Sequence, residues 1–189
     1  VDGMRSDAIV SGTSELLPNL YRMMDHGSCT LNARTDPNYP VTSPSHVSML
    51  TGRLVIGADG HNWIKNVDPD EGETLHSHKN EYIAGTFDVV HDNGIYTALF
   101  ANKSKFSLFD ESWNELNGRD DLVVPADHGK DKIDDYRYLE TASDLTAAVI
   151  STISQENSKG IFTFVHYGMP DSAGHTHGWD ITRDSGYMK

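Results

Sequence analysis

The sequence predicts an α/β fold with a central, mostly parallel β-sheet and helices on both faces. Segments with the 3.6-residue period of amphipathic helices alternate along the chain with short, continuously apolar segments. Strands that alternate with helices pair in parallel, because each helix returns the chain to the same end of the sheet. The chain has 189 residues, 37% of them hydrophobic and 23% charged, which is enough for one such domain with a substantial core.

Three segments carry the apolar stripe of a helix. The first begins near Ser14, a suitable N-cap, has Pro18 in its first turn and ends before Gly27. The second ends at Asn93-Gly94, and the third ends within Asn157–Gly160. The stripes consist of Leu16, Leu20, Met23 and Met24 in the first helix, Ile83, Phe87 and Val90 in the second, and Ala142, Leu145, Val149 and Ile153 in the third.

Three further segments have the pattern of β-strands. Residues 29–34 alternate like a strand, and residues 95–100 form a short apolar segment typical of a buried strand. Residues 161–165 are continuously apolar, as expected of a central parallel strand. Val1 resembles the last residue of a strand whose start is missing. Residues 101–136 are rich in Asp, Lys and Asn and predict an irregular insertion.

The composition excludes several kinds of protein and of site. A net charge of -13 argues against binding a nucleic-acid polymer, which needs clustered Lys and Arg. A small phosphate substrate stays compatible, since bound divalent cations would reverse the local field. Cys29 is the only cysteine, which excludes an internal disulfide and a Cys-based zinc site, whereas ten histidines favour metal binding. No segment approaches the roughly 18 apolar residues of a membrane span or has a signal-peptide layout.

The segment from Pro40 to Gly52 contains the first candidate site. Ser43 precedes a proline and is biased to an extended conformation, so we expect a short helix over Ser45–Leu50. Thr42 would then lie just before a helix N-terminus, where N–H groups and the dipole stabilise an alkoxide or a phosphate. A metal ion could activate this weak nucleophile by coordination. These residues alone, however, favour the alternative that Thr42 or Ser43 merely caps the helix.

A second candidate site lies in the loop predicted after the strand at residues 161–165. Asp171 and His175 are four residues apart, so a carboxylate oxygen and an imidazole nitrogen could converge on one cation, and this pair suits Zn²⁺. The spacing supports equally well a polar loop in which Asp171 accepts backbone hydrogen bonds and the histidines are solvated. Asp2, taken alone, fits a turn before Gly3 better than it fits a ligand. All these residues follow predicted strands, where active sites of parallel α/β folds lie.

Together, these segments resemble one family. The order Asp2-Gly3, Thr42-x-Pro-x-His46 with Thr51-Gly52, and Asp171-x-x-Gly-His175-x-x-Gly178 is similar to that of the type I phosphodiesterase/nucleotide pyrophosphatase group of the alkaline phosphatase superfamily. The resemblance covers residues 1–189, as the N-terminal part of the catalytic domain. It implies an alkaline-phosphatase-like sandwich and hydrolysis of phosphodiester or nucleotide pyrophosphate bonds. Arg5 and His46 also fit the pattern, as structural residues.

The resemblance implies a role for each matching position. Thr42 would be the nucleophile, and Asp2 would bind the zinc ion that also contacts Thr42. Asp171 and His175 would bind the other zinc ion, and other divalent metals could replace both. The substrate would be a small phosphorylated molecule such as a nucleotide, and the family resemblance favours an exported protein. The sequence leaves the oligomeric state open.

Two details of the resemblance are less regular. The asparagine five residues after His61, Asn66, matches the residue that holds a phosphate oxygen, with Asn62 as the alternative because a neighbouring glycine is missing. The family completes its site with a further Asp-His pair and a final histidine, which should follow His175, so we expect this C-terminal ligand segment to be missing. Two Asp-His-Gly strings, at residues 25–27 and 127–129, come too early to supply that pair.

Other activities on the same scaffold remain alternatives at this point. They are phosphomonoester hydrolysis and phosphonate hydrolysis, and a sulfatase is disfavoured because Thr42 and His46 replace the Cys/Ser-x-Pro-x-Arg pattern of that class. A truncated, non-catalytic metal-binding domain is the alternative from another class. Comparing monoester with diester substrates, and measuring zinc content, separates these possibilities.

Overall fold

The computed structural model describes residues 1–123, 129–155 and 160–189, which divide into two units. Unit 1 comprises Val1–Arg34 and Tyr167–Lys189, and unit 2 comprises Thr35–His166. The helices are α1 (Ser6–Ser11), α2 (Thr13–Leu16), α3 (Pro18–His26), α4 (Thr42–Thr51), α5 (Leu75–Lys79), α6 (Thr86–His91), α7 (Ser107–Ser112), α8 (Ala142–Gln155) and α9 (Met169–His177). The strands are β1 (Tyr96–Ala101), β2 (Asp135–Tyr138) and β3 (Ile161–His166), and a 3₁₀ turn spans Ser104–Phe106.

Unit 2 is built on a parallel sheet in the order β2-β1-β3. Tyr96 pairs with Ile161 and Ala98 with Asp135, so β1 has a parallel neighbour on each side. The predicted parallel α/β fold is thereby confirmed. Residues 161–165, however, belong to an outer strand of the described sheet and stay half-buried, whereas all but the first residue of β1 is buried. A continuous apolar segment indicates two covered faces but does not fix the order of strands.

The core of unit 2 is rich in aromatic residues that pack along this sheet. Phe87 of α6 contacts Phe162 of β3 edge to face, with ring centroids 5.3 Å apart. The segment 101–136, expected to be irregular, contains the 3₁₀ turn and α7, although residues 113–123 and 129–134 form neither helix nor strand. Aromatic side chains of the 3₁₀ turn, of α7 and of the residue after α7 belong to the core. The aromatic residues of the buried cluster are Trp63, Phe87, Phe106, Phe109 and Trp113.

Three of the predicted elements are corrected by the structure. The first predicted helix is divided into α2 and α3 at Leu17, because a residue before proline is disfavoured in the α region, and Leu17 has φ −125° and ψ 51°. The strand predicted at residues 29–34 is wrong: the segment is exposed on both faces, so it has no apolar face to bury in a sheet. The second predicted helix starts later, at Thr86, leaving Ile83 buried ahead of it.

The remaining helix predictions agree with the structure. α8 forms as predicted, but its buried residues are Leu145, Ala148 and Thr152, so only Leu145 of the predicted stripe is buried and Ile153 is exposed. Residues 156–159, where the helix was expected to end, lie outside the described residues. α3 ends at His26, so the first Asp-His-Gly string lies at a helix C-terminus, and Gly27 in the C-cap position has an extended backbone at φ −127° and ψ −167°. Among the described helices, none is long and apolar enough to span a membrane.

A buried ion network fixes the segment that leads into β2. Lys132 Nζ lies 2.5 Å from Asp121 and 3.0 Å from Asp92, and His91 lies 3.0 Å from Asp121 and 3.7 Å from Asp134. The contacts with Asp134 and Asp121 raise the pKa of His91 to about 9, so its imidazole is protonated at neutral pH. Buried charges are tolerated only when they are paired, and here two cations meet three carboxylates.

Candidate active site

Helix α4 begins at Thr42, three residues before the predicted start. Val41 is the N-cap, with an extended backbone at φ −122° and ψ 162°. Neither Thr42 nor Ser43 therefore occupies the capping position, and the capping alternative is wrong. Pro44 is the third helical residue, where its missing N–H removes no helical hydrogen bond. The extended bias of a residue before proline is overridden at Ser43, which is buried and donates its N–H to Asn66 Oδ1 at 3.0 Å.

The hydroxyl and the carbonyl of Thr42 have separate partners. Lys103 Nζ donates to Thr42 Oγ1 at 3.4 Å, which brings a cation to the candidate nucleophile. His46 Nδ1 lies 2.7 Å from the Thr42 carbonyl oxygen, and because a carbonyl only accepts, Nδ1 must carry the proton. The His46 ring packs edge to face with Phe106, at 5.0 Å between centroids. His46 therefore stabilises the first turn of α4, as its structural interpretation predicted.

Asn66, and not Asn62, lies at the start of α4. Besides accepting from Ser43, Asn66 accepts from Lys105 Nζ at 2.7 Å through its carbonyl oxygen and at 3.4 Å through Oδ1. Asn62 has φ +59°, and its N–H donates to the Val55 carbonyl at 2.8 Å. Thr42, Asn66, Lys103 and Lys105 thus form one cluster in unit 2, which we call the nucleophile group.

Lys103 and Lys105 were missed by sequence reasoning. They fall in the segment that was expected to be an irregular insertion. Their signal was the polar string Asn102–Lys105 directly after the buried strand β1. Residues that follow parallel strands lie at the sheet edge where α/β folds bind their ligands. The position of the two lysines after β1 therefore indicates a functional site in the same way as the position of Asp171 after β3.

Asp171 and His175 lie on helix α9 in unit 1 and not in a loop. Pro170 stands at the start of α9, where proline is favoured. Asp171 Oδ1 and His175 Nε2 are 3.5 Å apart, one helical turn from each other, and the His175 side chain is 74% exposed. A Cβ at Gly174 would lie 2.3 Å from the Trp179 ring, so the packing of this ring requires glycine there. The four-residue spacing brings the two side chains together, as expected, but Gly174 lies within a helix and serves close packing instead of forming a loop.

The turn at Asp2-Gly3 packs directly against the start of α9 within the same unit. The Asp2 N–H donates to the Tyr167 carbonyl at 2.8 Å. Gly3 has φ +64°, and a Cβ there would lie 2.5 Å from Asp171 Cα. The Tyr187 hydroxyl accepts from the Arg5 N–H at 2.9 Å and donates to the Gly3 carbonyl at 2.7 Å, which fixes the turn. We call Asp2, Asp171 and His175 the ligand group.

The donor chemistry of the ligand group fits part of a zinc site. Asp171 and His175 offer the carboxylate oxygen and imidazole nitrogen that Zn²⁺ accepts. Within the described ranges, however, no group of three or more His, Cys, Asp or Glu side chains is arranged to hold a metal ion. The ligand group therefore supplies only part of a coordination set. Asp127 and His128 of the second Asp-His-Gly string lie outside the described residues.

We predict that Gly3→Ala destabilises the protein more than Gly52→Ala. Both glycines have similar positive φ angles, +64° and +67°, but a Cβ at position 52 meets nothing within 4 Å. The additional loss, from overpacking against Asp171, should be about 1–3 kcal/mol in the free energy of unfolding. Chemical denaturation of both variants measures it, and equal losses would show that the turn does not pack on α9.

One comparison with known proteins identifies a family. The family model for type I phosphodiesterase / nucleotide pyrophosphatase matches residues 1–187, nearly the whole chain. Searches of curated proteins and of solved structures find no match. The parallel sheet with helices around it agrees with the alkaline-phosphatase-like α/β fold that the sequence predicted.

Proposed function

Since the chain belongs to the type I phosphodiesterase/nucleotide pyrophosphatase family, it is a hydrolase of phosphoester or pyrophosphate bonds, and we propose that Thr42 is its nucleophile. The observation that carries this proposal is the contact of Lys103 Nζ with Thr42 Oγ1 at the first residue of α4. A cation and a helix N-terminus both stabilise negative charge, whether on the threonine oxygen or on a bound phosphate. A threonine with only a capping role needs neither the cation nor this position.

The proposed reaction has two displacements. Thr42 Oγ1 loses its proton to solvent and attacks phosphorus, and the bond to the leaving oxygen breaks, so that this oxygen departs with the electron pair and takes up a proton. Water then loses a proton and attacks the phosphothreonine, the bond between phosphorus and Oγ1 breaks, and Oγ1 takes up a proton, which restores the Thr42 hydroxyl and releases the phosphate product. Lys103 offsets charge on the threonine oxygen. Asn66 uses Oδ1 to accept from Ser43, so its Nδ2 group can donate to a phosphate oxygen.

The proposal includes two zinc ions. Asp171 and His175 would hold one ion, and Asp2 would bind the other. Bound zinc would lower the pKa of a coordinated hydroxyl and offset the charge of the phosphate. The metal dependence typical of the family and the donor types of the ligand group support this assignment.

We predict that Thr42→Ala abolishes turnover while zinc content stays close to that of the unchanged protein. Loss of the attacking oxygen should lower kcat by roughly 1,000-fold or more with p-nitrophenyl esters of phosphate. Thr42→Ser is the matched control, since it keeps an Oγ and should retain measurable turnover. Near-normal activity of Thr42→Ala, with correct folding, would refute the assignment.

Phosphomonoester hydrolysis is the second candidate function, and the two lysines favour it. A monoester dianion carries one more negative charge than a diester monoanion, and Lys103 and Lys105 bring two positive charges to Thr42 and Asn66. The remaining activities of the scaffold have no such observation in their favour.

We predict that Lys103→Met lowers kcat/KM for p-nitrophenyl phosphate about ten-fold more than for the bis-p-nitrophenyl diester. The reason is that one charge interaction of about 1.4 kcal/mol would be lost only with the dianion. Lys79→Met is the control, because Lys79 donates to the Gly57 and Ala58 carbonyls, which lie outside the nucleophile group. An equal loss with both substrates would mean that Lys103 acts on Thr42 alone.

A further inference from the structure

The buried side chain of His61 connects the segment that carries Asn66 to helix α4. His61 is 0% exposed. Its Nδ1 accepts the Trp63 N–H at 3.0 Å, and its Nε2 lies 3.0 Å from Ser48 Oγ in α4. Because Nδ1 accepts, it carries no proton in the neutral ring, so Nε2 carries the hydrogen and donates it to Ser48. These two contacts fix a single tautomer.

The His61 ring keeps this tautomer over the pH range of an ordinary assay. Burial lowers the pKa of His61 to about 4, because it outweighs a hydrogen bond with the Pro44 backbone that raises the pKa, and the positive charge of Arg53 acts in the same direction as burial. The ring is therefore neutral at pH values where a hydrolase would be measured, and its Nε2–H remains a hydrogen-bond donor to Ser48.

The same segment contacts α4 at a second point. Asn66 Oδ1 accepts the Ser43 N–H, and Ser43 and Ser48 are five residues apart, about 7.5 Å along a helix axis. Residues 61–66 are thus attached to α4 at both ends of the segment. Trp63, between the two contacts, is completely buried. The His61 contact therefore constrains where Asn66 meets the first turn of α4.

We propose that His61 is a positioning residue: through its hydrogen bond to Ser48 it holds the Asn66 amide in register with Thr42. This inference deepens the proposed function. The kcat part of its test rests on that function, whereas the hydrogen-exchange part does not. A histidine that merely fills the core would affect the nucleophile group only in proportion to the loss of overall stability. A positioning residue affects the Asn66 contact first, and errors of about 1 Å at such a contact slow catalysis strongly.

His76 provides a matched control elsewhere in unit 2. Its Nδ1 accepts the Ile83 N–H at 3.0 Å, and its Nε2 lies 2.6 Å from the Ser112 carbonyl oxygen. Burial lowers the pKa of His76 as well. The two histidines therefore make the same kind of paired hydrogen bonds, but the partners of His76 lie outside α4 and outside residues 61–66.

The Ser43 amide reports directly on the proposed contact. The first N–H groups of a helix have no partner within the helix, so protection of the Ser43 N–H from hydrogen exchange depends on Asn66. Exchange of the Leu99 amide in the buried strand β1 reports overall opening in the same sample. The comparison requires no catalytic activity.

The test uses the full chain with His61→Asn, His61→Gln and His76→Asn. Asparagine keeps an acceptor for Trp63 but cannot reach Ser48, whereas glutamine can place an amide N–H near the Nε2 position. We expect His61→Asn to speed Ser43 exchange about ten-fold more than Leu99 exchange, and to lower kcat about ten-fold. His61→Gln should recover most of the Ser43 protection and most of kcat. His76→Asn should neither speed Ser43 exchange relative to Leu99 exchange nor lower kcat selectively.

The two proposals fail in distinguishable ways. If the unchanged protein hydrolyses no phosphoester, the proposed function fails, while Ser43 exchange still decides the role of His61. If Ser43 exchange in His61→Asn rises no more than in His76→Asn, or if glutamine recovers nothing, the positioning role is overturned even in an active enzyme.

Discussion

The parallel pairing of β1 with β2 and β3 is the constraint on which the rest of unit 2 depends. Because the three strands run in one direction, their C-terminal ends meet at one edge of the sheet. Lys103 and Lys105 follow β1 at that edge. There Lys103 contacts Thr42 and Lys105 contacts Asn66, two residues that belong to no strand. The nucleophile group therefore depends on the sheet for its cations and on α4 for the threonine.

Two positively charged side chains contact Thr42 and Asn66, although the chain as a whole is acidic. The net charge is -13, which by itself would repel a phosphate. The described cluster instead combines two lysines with the start of a helix, so the local field attracts anions. Net charge therefore describes the chain as a whole, but it does not describe this site.

Periodicity predicted β1 and α8 because their patterns depend on burial alone. It failed where a tertiary contact decides local structure. Ser43 is helical before a proline because its N–H donates to Asn66, 23 residues later. Gly174 lies within α9, where the absence of a Cβ allows Trp179 to pack closely. The motif order predicted the family correctly, whereas Lys103 lies outside those motifs, and its contact with Thr42 is a finding of the structure.

Identification of the phosphorylated residue tests the central claim most directly. The protein is quenched in acid during turnover of p-nitrophenyl phosphate, digested, and analysed by mass spectrometry, since phosphothreonine survives acid. The account predicts a phosphoryl group on Thr42. A phosphoryl group on another side chain such as Ser43, or turnover by a protein that never carries one, would contradict it.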